Sequence, residues 1–233
     1  MAEPLVLVPG LLCTEALWRP QIEALGAGHD ILVADHRSHA SIGEIAAALL
    51  AVAPPRFALA GLSMGGYIAF EVMRQAPQRV ARLALLDTAA GADSKERCDV
   101  RRRFVALARE AGLTPVVDRL LPQFLSEAHR HDPDLAAIVR KMAADTGVEA
   151  FARQQQAIMT RPDSRPGLGV ITCPTMVLVG ADDTLTPPDL AREIHAAIPA
   201  SRLVTVPDCG HLSTIEQPDA VTAAMRDWLA SDM

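Results

Sequence analysis

Six short apolar runs, separated by longer stretches with helical periodicity, constrain the fold of this chain more than any other feature. Each run is followed directly by proline, glycine or aspartate, which commonly end regular structure. The runs do not alternate polar with apolar residues, so both faces of each predicted strand are expected to be buried, as in a parallel sheet. The runs are residues 4–8, 31–34, 57–60, 83–86, 175–179 and 202–206.

Helical patterns fill most of the gaps between these runs. The predicted helices are residues 41–53, 64–75, 188–198 and 219–229. Ser41 is a suitable N-cap for the first of them, with Glu44 three residues later. The repeated strand–helix order implies right-handed crossovers and a doubly wound layer. The sequence therefore predicts an α/β fold with a mostly parallel sheet of about six strands.

One long region interrupts this order. Between the fourth and fifth predicted strands, apolar residues recur at helical spacing and no strand candidate occurs. We expect residues 93–161 to form a helical cap over the site, inserted into a core made of residues 1–92 and 162–233. The alternative is that the insertion serves only as a dimer surface. Pro162 and Pro166 mark its exit.

Composition limits the partners and the compartment. The 233 residues carry a formal net charge of −6, which argues against a nucleic-acid partner. Arg101, Arg102 and Arg103 fall in a helical pattern and are expected to form a solvated face or ion pairs. The apolar run 5–8 is too short for a membrane span or a signal-peptide core. The four cysteines lack CxxC and zinc-ligand spacing, so we expect free thiols, no metal and a cytoplasmic protein.

The segment Gly61-Leu62-Ser63-Met64-Gly65-Gly66 joins the third predicted strand to a predicted helix. This is the context that a G-x-S-x-G elbow requires, in which the serine lies on a sharp strand-to-helix turn. Glycine leaves room where a side chain would collide with the neighbouring strand or helix. The helix N-terminus favours negative charge near the serine. Ser63 is the candidate nucleophile, and the alternative is a glycine-rich turn with an incidental serine.

A serine nucleophile needs a base and a group that orients the base. His211 follows the sixth predicted strand directly and is the best candidate base among the seven histidines. The loop after the fifth strand supplies two carboxylates, of which Asp183 is preferred over Asp182. Asp87, at the end of the fourth strand, is a lesser candidate. The acids could also have structural roles as turn or N-cap residues.

Two backbone N–H groups are expected to bind the oxyanion. One belongs to Met64, the residue after the nucleophile. The other belongs to Leu11 in the loop after the first strand, with Leu12 as a second possibility. Leu12 and Leu212 flank the proposed site and are candidate substrate-binding residues. Because aromatic residues make up only 3% of the chain, we expect a pocket for a short or medium aliphatic group rather than a deep aromatic one.

Three motifs in the order nucleophile, acid, histidine resemble the α/β-hydrolase superfamily. They are Gly61-Leu-Ser-Met-Gly-Gly66, Gly180-Ala-Asp-Asp-Thr-Leu-Thr-Pro187 and Cys209-Gly-His211. The family's acid motif, Gly-x-x-Asp-x-x-Thr/Val-Pro, falls on Asp183. The resemblance covers nearly the whole chain and is weakest in the insertion. Its subgroups include small carboxylesterases, enol-lactone hydrolases and C–C bond hydrolases.

The sequence departs from the family pattern in three places. Pro9-Gly10 replaces the His-Gly that often precedes the oxyanion loop, which removes a side chain that commonly braces it. Few residues precede Leu5, so the sheet is expected to lack the family's first two strands. Ser38 replaces a glycine in the segment Asp35-His36-Arg37-Ser38, which we interpret as structural.

The resemblance implies a serine hydrolase. Together with the low aromatic content, it leads us to expect cleavage of small, aliphatic carboxylic esters through an acyl-enzyme. No cofactor is expected, and the partner is a small-molecule ester. The chain is expected to be a monomer or a homodimer. A lactonase or C–C bond hydrolase with the same triad is the alternative within enzymes. A non-catalytic protein that binds a small ligand is the alternative outside them.

Overall fold

The structure, a computed structural model, describes residues 3–231 and has a parallel sheet at its centre. The strands are β1 (Leu5–Val8), β2 (Ile31–Val33), β3 (Phe57–Leu62), β4 (Val80–Leu86), β5 (Thr175–Gly180) and β6 (Ser201–Val206). Their order across the sheet is β2-β1-β3-β4-β5-β6, and every neighbouring pair is parallel. This topology confirms the predicted fold class.

Helices cover both faces of the sheet. They are α1 (Arg19–Leu25), α2 (Ile42–Val52), α3 (Met64–Gln75), α4 (Lys95–Ala111), α5 (Thr114–Phe124), α6 (Pro133–Thr146), α7 (Val148–Met159), α8 (Pro188–Ala197), α9 (Ser213–Glu216) and α10 (Pro218–Ala230). Within residues 3–231, no helix has both the length and the apolar character needed to cross a membrane.

Strand β1 shows why the apolar runs do not alternate. Consecutive side chains of a strand point to opposite faces of the sheet. Leu5 and Leu7 therefore enter one core, which α1, α10 and the inserted helices complete. Val6 and Val8 enter a second core with α2, α3 and α8. All four side chains are fully buried, and each burial contributes roughly 1.5–3 kcal/mol.

Helices α4 to α7 follow one another between β4 and β5, where the sequence predicted a helical insertion. We call residues 95–159 the helical insertion. Its α4 packs against α5 and α7, and α5 packs against α6. Apolar side chains of α5, including Val116 and Phe124, join the same core as Leu5 and Leu7. The insertion is therefore packed onto the sheet domain through a shared apolar core.

Some elements differ from the expected bounds by more than one residue or were not predicted. Strand β3 continues to Leu62, because its ladder with β4 extends to the pair Leu62–Leu86. Strand β4 begins at Val80. The sequence did not predict this start, because Arg82 interrupts the apolar pattern that marks the rest of the strand. Helix α1 was not predicted, because the buried polar Gln21 breaks its apolar periodicity.

The carboxyl ends of the six parallel strands meet at one edge of the sheet, which is where α/β folds bind ligands. The register aligns the strand ends closely. Val8 pairs with Gly61, Leu62 with Leu86, and Gly180 with Val206. The loops after β1, β3, β5 and β6 are thereby brought together, and these are the loops that carry the candidate site residues.

Candidate active site

Ser63 lies in strained backbone between β3 and α3. Its φ of 56° and ψ of −113° are rare for a residue with a side chain, and such strain costs on the order of 1–3 kcal/mol. The flanking glycines permit the turn. A Cβ at Gly65 would lie 2.1 Å from the carbonyl oxygen of Val8, and one at Gly61 would lie 2.3 Å from that of Gly65. The sequence thus folds here only because both positions lack a side chain.

Ser63, His211 and Asp183 form a continuous hydrogen-bonded chain. Ser63 Oγ lies 2.8 Å from His211 Nε2, and His211 Nδ1 lies 2.8 Å from Asp183 Oδ2. The acceptor Asp183 requires a proton on Nδ1, which leaves the lone pair of Nε2 directed at the serine hydroxyl. His211 and Asp183 are buried, whereas Ser63 is partly accessible. This arrangement can transfer a proton from serine to imidazole.

Asp183 is held by the loop that contains it. Its Oδ1 accepts hydrogen bonds from the N–H groups of Leu185, at 2.8 Å, and Thr186, at 2.9 Å. The Thr186 hydroxyl donates to Oδ2 at 2.6 Å. Asp182 is exposed and has no contact with His211. Of the two adjacent carboxylates, only Asp183 is brought to the imidazole.

The charges of this pair reinforce each other. Burial disfavours the imidazolium, but the negative charge of Asp183 and its hydrogen bond outweigh burial and raise the pKa of His211 above its ordinary value. Burial also disfavours the Asp183 carboxylate. The charge of His211 and the hydrogen bonds from His211 and Thr186 outweigh that effect and lower the pKa of Asp183.

Asp87 lies at the end of β4 and has a different set of contacts. Its Oδ1 accepts from the N–H of Gly180 at 2.9 Å, and its Oδ2 lies 2.5 Å from the Ser213 hydroxyl. Burial and the nearby charge of Asp183 raise the pKa of Asp87 to about 8. Asp87 connects β4 to the acid loop and to the segment after His211, so it supports both loops.

In the loop after β1, the N–H groups of Leu11 and Leu12 differ in whether they are already hydrogen-bonded. The N–H groups of Leu11 and Met64 donate no hydrogen bond within residues 3–231. The N–H of Leu12, by contrast, donates to Gln154 Oε1 of α7 at 3.1 Å. Leu12 adopts a positive φ of 60°. The geometry therefore leaves Leu11, rather than Leu12, available as the second oxyanion donor.

Two side chains that were not among the predicted site residues hold this loop. The His36 ring is buried, and its Nε2 lies 2.8 Å from the carbonyl oxygen of Gly10. Burial lowers the pKa of His36, so the ring is neutral and can donate from Nε2. Gln154 holds Leu12 and also contacts the His36 ring. His36 thus braces the loop although Pro9 replaces the family's histidine, and only the fold brings it there.

A cavity of about 260 Å³ opens onto Ser63 and His211. Leu11 and Leu212 line it, whereas Leu12 lies in the core and is not part of the wall. The sequence led us to expect an aliphatic pocket rather than a deep aromatic one, and the wall contains both aliphatic and aromatic side chains. The aromatic residues are few but concentrated, since three of them line this cavity. They are Tyr67, Phe104 and Phe124.

Two of the three arginines in the cluster form ion pairs, which was one of the two expectations from the sequence. Arg101 lies 2.5 Å from Asp93, and Arg102 lies 2.6 Å from Asp99. Arg101 also lines the cavity and donates to Gln155 at 2.9 Å. One member of the cluster therefore belongs to the wall of the candidate site, which composition alone did not indicate.

The helical insertion is fastened to the loop that carries His211. The carbonyl oxygen of Phe124 accepts from the N–H groups of His211 and Leu212, each at 3.1 Å. The Phe124 and His211 rings stack with centroids 6.2 Å apart. Buried Glu216 joins the same two segments, because it accepts from the N–H of Gly210 at 3.1 Å and of Ser126 at 2.8 Å.

Comparison with known proteins agrees with the fold and the motifs. Residues 5–224 match the profile of the Alpha/beta hydrolase family. A thermophilic esterase from Thermogutta terrifontis, solved with malate bound, is 32% identical, with a TM-score of 0.89 and coverage of 98% of this chain and 90% of that one. The enol-lactonase from Burkholderia xenovorans LB400 is 28% identical, with a TM-score of 0.89 and coverage of 99% and 93%.

A hydrolase from Pseudomonas aeruginosa PA01 is 27% identical, with a TM-score of 0.88 and coverage of 98% of this chain and 91% of that one. Hydrolysis is the reaction class that the names of these three relatives share. The profile covers most of the chain, and the relatives match almost its full length. The chain therefore belongs to the alpha/beta hydrolase family.

Proposed function

We propose that this protein is a serine hydrolase that cleaves carboxylic esters of small substrates through an acyl-enzyme. The observation that carries the proposal is the chain of contacts from Ser63 through His211 to Asp183, with both distances at 2.8 Å. A serine hydroxyl in hydrogen-bond reach of a base, itself oriented by a buried acid, is the arrangement that nucleophilic acyl transfer requires.

The first half of the reaction forms the acyl-enzyme. His211 Nε2 takes the hydroxyl proton as Ser63 Oγ attacks the ester carbonyl carbon. The carbonyl oxygen becomes negative and accepts hydrogen bonds from the N–H groups of Leu11 and Met64. When the C–O bond to the alcohol breaks, the imidazolium returns the proton to the departing oxygen.

The second half releases the acid. Water enters, and His211 takes its proton as the water oxygen attacks the acyl carbon. The same two N–H groups stabilise the second oxyanion. Collapse of this intermediate breaks the bond to Ser63 Oγ, which recovers its proton from His211. Asp183 holds the imidazole in the required tautomer and stabilises its charged form in both halves.

The helical insertion acts as a cap over this site in our proposal. Residues of α4, α5 and α7 line the cavity, among them Phe104, Phe124 and Ile158. At about 260 Å³ the cavity is small for a ligand site, since such sites usually occupy roughly 300–1,000 Å³. The size favours a compact substrate, and the similarity to the Thermogutta terrifontis esterase favours an ester.

Lactone hydrolysis is the second candidate function. The similarity to the Burkholderia xenovorans enol-lactonase, 28% identical over almost the whole chain, favours it. A lactone is a cyclic ester, so the same residues would act in the same order, and the hydroxyl group freed on acylation would remain part of the acyl chain and of the single product. Comparison of kcat/KM on an enol-lactone and on a linear ester of equal carbon number distinguishes the two.

Substitution of the nucleophile tests the proposal directly. We expect Ser63→Ala to lower kcat on p-nitrophenyl butyrate by about 10⁴-fold or more, because loss of the nucleophile removes the acyl-enzyme route. A fluorophosphonate probe should label the wild type and fail to label Ser63→Ala. Ser38→Ala is the matched control, since Ser38 is exposed and does not line the cavity.

Ser38→Ala should hydrolyse the ester and react with the probe at wild-type rates. Ser63→Ala must be shown to be folded by its circular dichroism and thermal unfolding before the comparison is made. Turnover by folded Ser63→Ala at the wild-type rate would contradict the proposal, as would a wild-type protein that the probe does not label.

A further inference from the structure

One face of α4 forms part of the cavity wall. Arg97, Val100, Arg101 and Phe104 all line the cavity, and their spacing of three and four residues places them on the same side of a helix. Two of these four side chains are guanidinium groups. The wall is otherwise mostly apolar, and it contains no aspartate or glutamate among the described residues.

The two arginines differ in their electrostatic partners. Arg101 lies 2.5 Å from Asp93, and Arg161 lies 2.8 Å from the same carboxylate. Two positive groups thus share one buried negative group, which leaves a net charge of +1 behind the wall. Arg97 pairs with no carboxylate within residues 3–231. The wall is therefore positive, although the whole chain has a net charge of −6.

Arg97 is held in place without being neutralised. Its Nη2 donates to the carbonyl oxygen of Leu185 at 3.0 Å. Leu185 belongs to the acid loop and donates its own N–H to Asp183. A guanidinium has five N–H donors in a planar fork, so most of its donors stay free after this one bond. The side chain is exposed, which locates it where the cavity opens to solvent.

We propose that Arg97 forms a subsite for a carboxylate carried by the substrate, at the end of the molecule remote from the ester group. A planar guanidinium matches a carboxylate through two parallel hydrogen bonds, and it holds its charge at every physiological pH. The apolar lining between Arg97 and Ser63 would hold a short carbon chain. The substrate class is a half-ester of a small dicarboxylic acid, and this identification rests on the proposed ester hydrolysis.

A binding measurement tests the subsite independently of turnover. Succinate, glutarate and adipate should each be titrated into the wild type by calorimetry, beside the corresponding diamides. We expect at least one dianion of this series to bind about 10- to 100-fold more tightly than its diamide, as for hydrogen bonds to charged groups. Raising the salt concentration should weaken that binding, because the site is exposed.

Substitutions in α4 test whether Arg97 is responsible for the preference for the dianion over the diamide. Arg97→Gln should bring the dianion and the diamide to similar affinities, and Arg97→Lys should recover part of the preference. Arg102→Gln is the matched control. Arg102 lies on the same helix and carries the same charge, but it pairs with Asp99 and does not line the cavity. We expect Arg102→Gln to behave as the wild type.

Turnover is then compared on monomethyl adipate and on the methyl ester whose free carboxylate is replaced by a carboxamide. Wild type should prefer the acid, mainly through KM, and Arg97→Gln should lose that preference, so that its KM values for the two esters become similar. Equal affinity of wild type and Arg97→Gln for all three dianions would overturn the subsite. Absence of turnover with both esters, despite Arg97-dependent binding, would instead overturn the proposed ester hydrolysis.

Discussion

His211 illustrates how single residues set the chemistry of this site. Its ring is buried, which by itself would keep the imidazole neutral and lower its pKa. Asp183 reverses that effect from 2.8 Å away, through its charge and its hydrogen bond. The charges of Asp87 and Glu216 act in the same direction. The result is a base that holds a proton well once it has taken one, as the reaction requires.

The pH dependence of kcat/KM follows from this shift. Only neutral His211 can accept the Ser63 proton, so activity falls as the pH falls through the pKa of His211. Because that pKa is raised above 6.5, we expect the midpoint of the acid limb above pH 6.5. Initial rates on a neutral ester from pH 5 to 9 give the midpoint. A midpoint clearly below 6.5 would be inconsistent with the contacts described for His211.

At the scale of elements, the loop after β1 depends on segments that are far away in the chain. His36 follows β2 and supports the carbonyl of Gly10. Gln154 lies in α7 of the helical insertion and supports the N–H of Leu12. The turn between Gly10 and Leu12 is tight, because Leu12 has a φ of 60°. The direction of the Leu11 N–H is therefore set jointly by the sheet domain and the insertion.

Gln154→Ala tests this support. The change leaves the buried N–H of Leu12 without a partner, which costs about 1–3 kcal/mol of stability. We expect kcat to fall by up to about 10²-fold with a smaller change in KM, because complete loss of an oxyanion donor costs about 10²–10³-fold. Steady-state kinetics and denaturant unfolding measure both effects.

Gln156→Ala is the control for that substitution, because Gln156 lies on the same helix and is exposed. It should leave kcat within about twofold of the wild type. If Gln154→Ala lowered stability but left kcat unchanged, the Leu11 N–H would not depend on Gln154 for its direction.

At the scale of the whole molecule, the helical insertion is held against the loop that carries the base, His211. Phe124 accepts two hydrogen bonds from that loop and stacks on the imidazole ring. Glu216 binds the N–H groups of Gly210 and Ser126, one on each side of the junction. These contacts fix the end of α5 against His211, so this part of the insertion cannot lift without disturbing the base.

Glu216→Gln should weaken the junction. One of the two N–H groups would then face an amide NH₂ group instead of a carboxylate oxygen, and the loss of a charge-assisted bond costs about 1.5–3 kcal/mol. We expect the free energy of unfolding to fall by about that amount, with a lower kcat. Glu127→Gln removes the same charge from an exposed position beside Ser126 and should change neither value. Equal stability of the two variants would contradict a structural role for Glu216.

Parts of the fold and of the candidate site could be predicted directly from the order of residues. The apolar runs predicted the strands, since burial on both faces of a parallel sheet requires apolar residues without alternation. Gly61 and Gly65 marked the turn at Ser63, because only glycine leaves space for it. The motif around Asp183 singled out the carboxylate that the fold brings to His211. A local sequence pattern is enough to predict a feature when the physical requirement for that feature involves only neighbouring residues.

Tertiary structure alone decided the rest. Gln154 and Glu216 belong to no motif, and the segment that contains His36 was interpreted only as structural. The contacts of these three residues join segments 26 to 142 residues apart. Arg97 and Arg101 belong to a helix whose orientation to the sheet no local pattern specifies. The sequence by itself determined the fold class and the candidate triad, because strand burial and the turn at Ser63 depend on neighbouring residues. The shape and charge of the cavity depend on how distant helices pack, so only the folded molecule determines them.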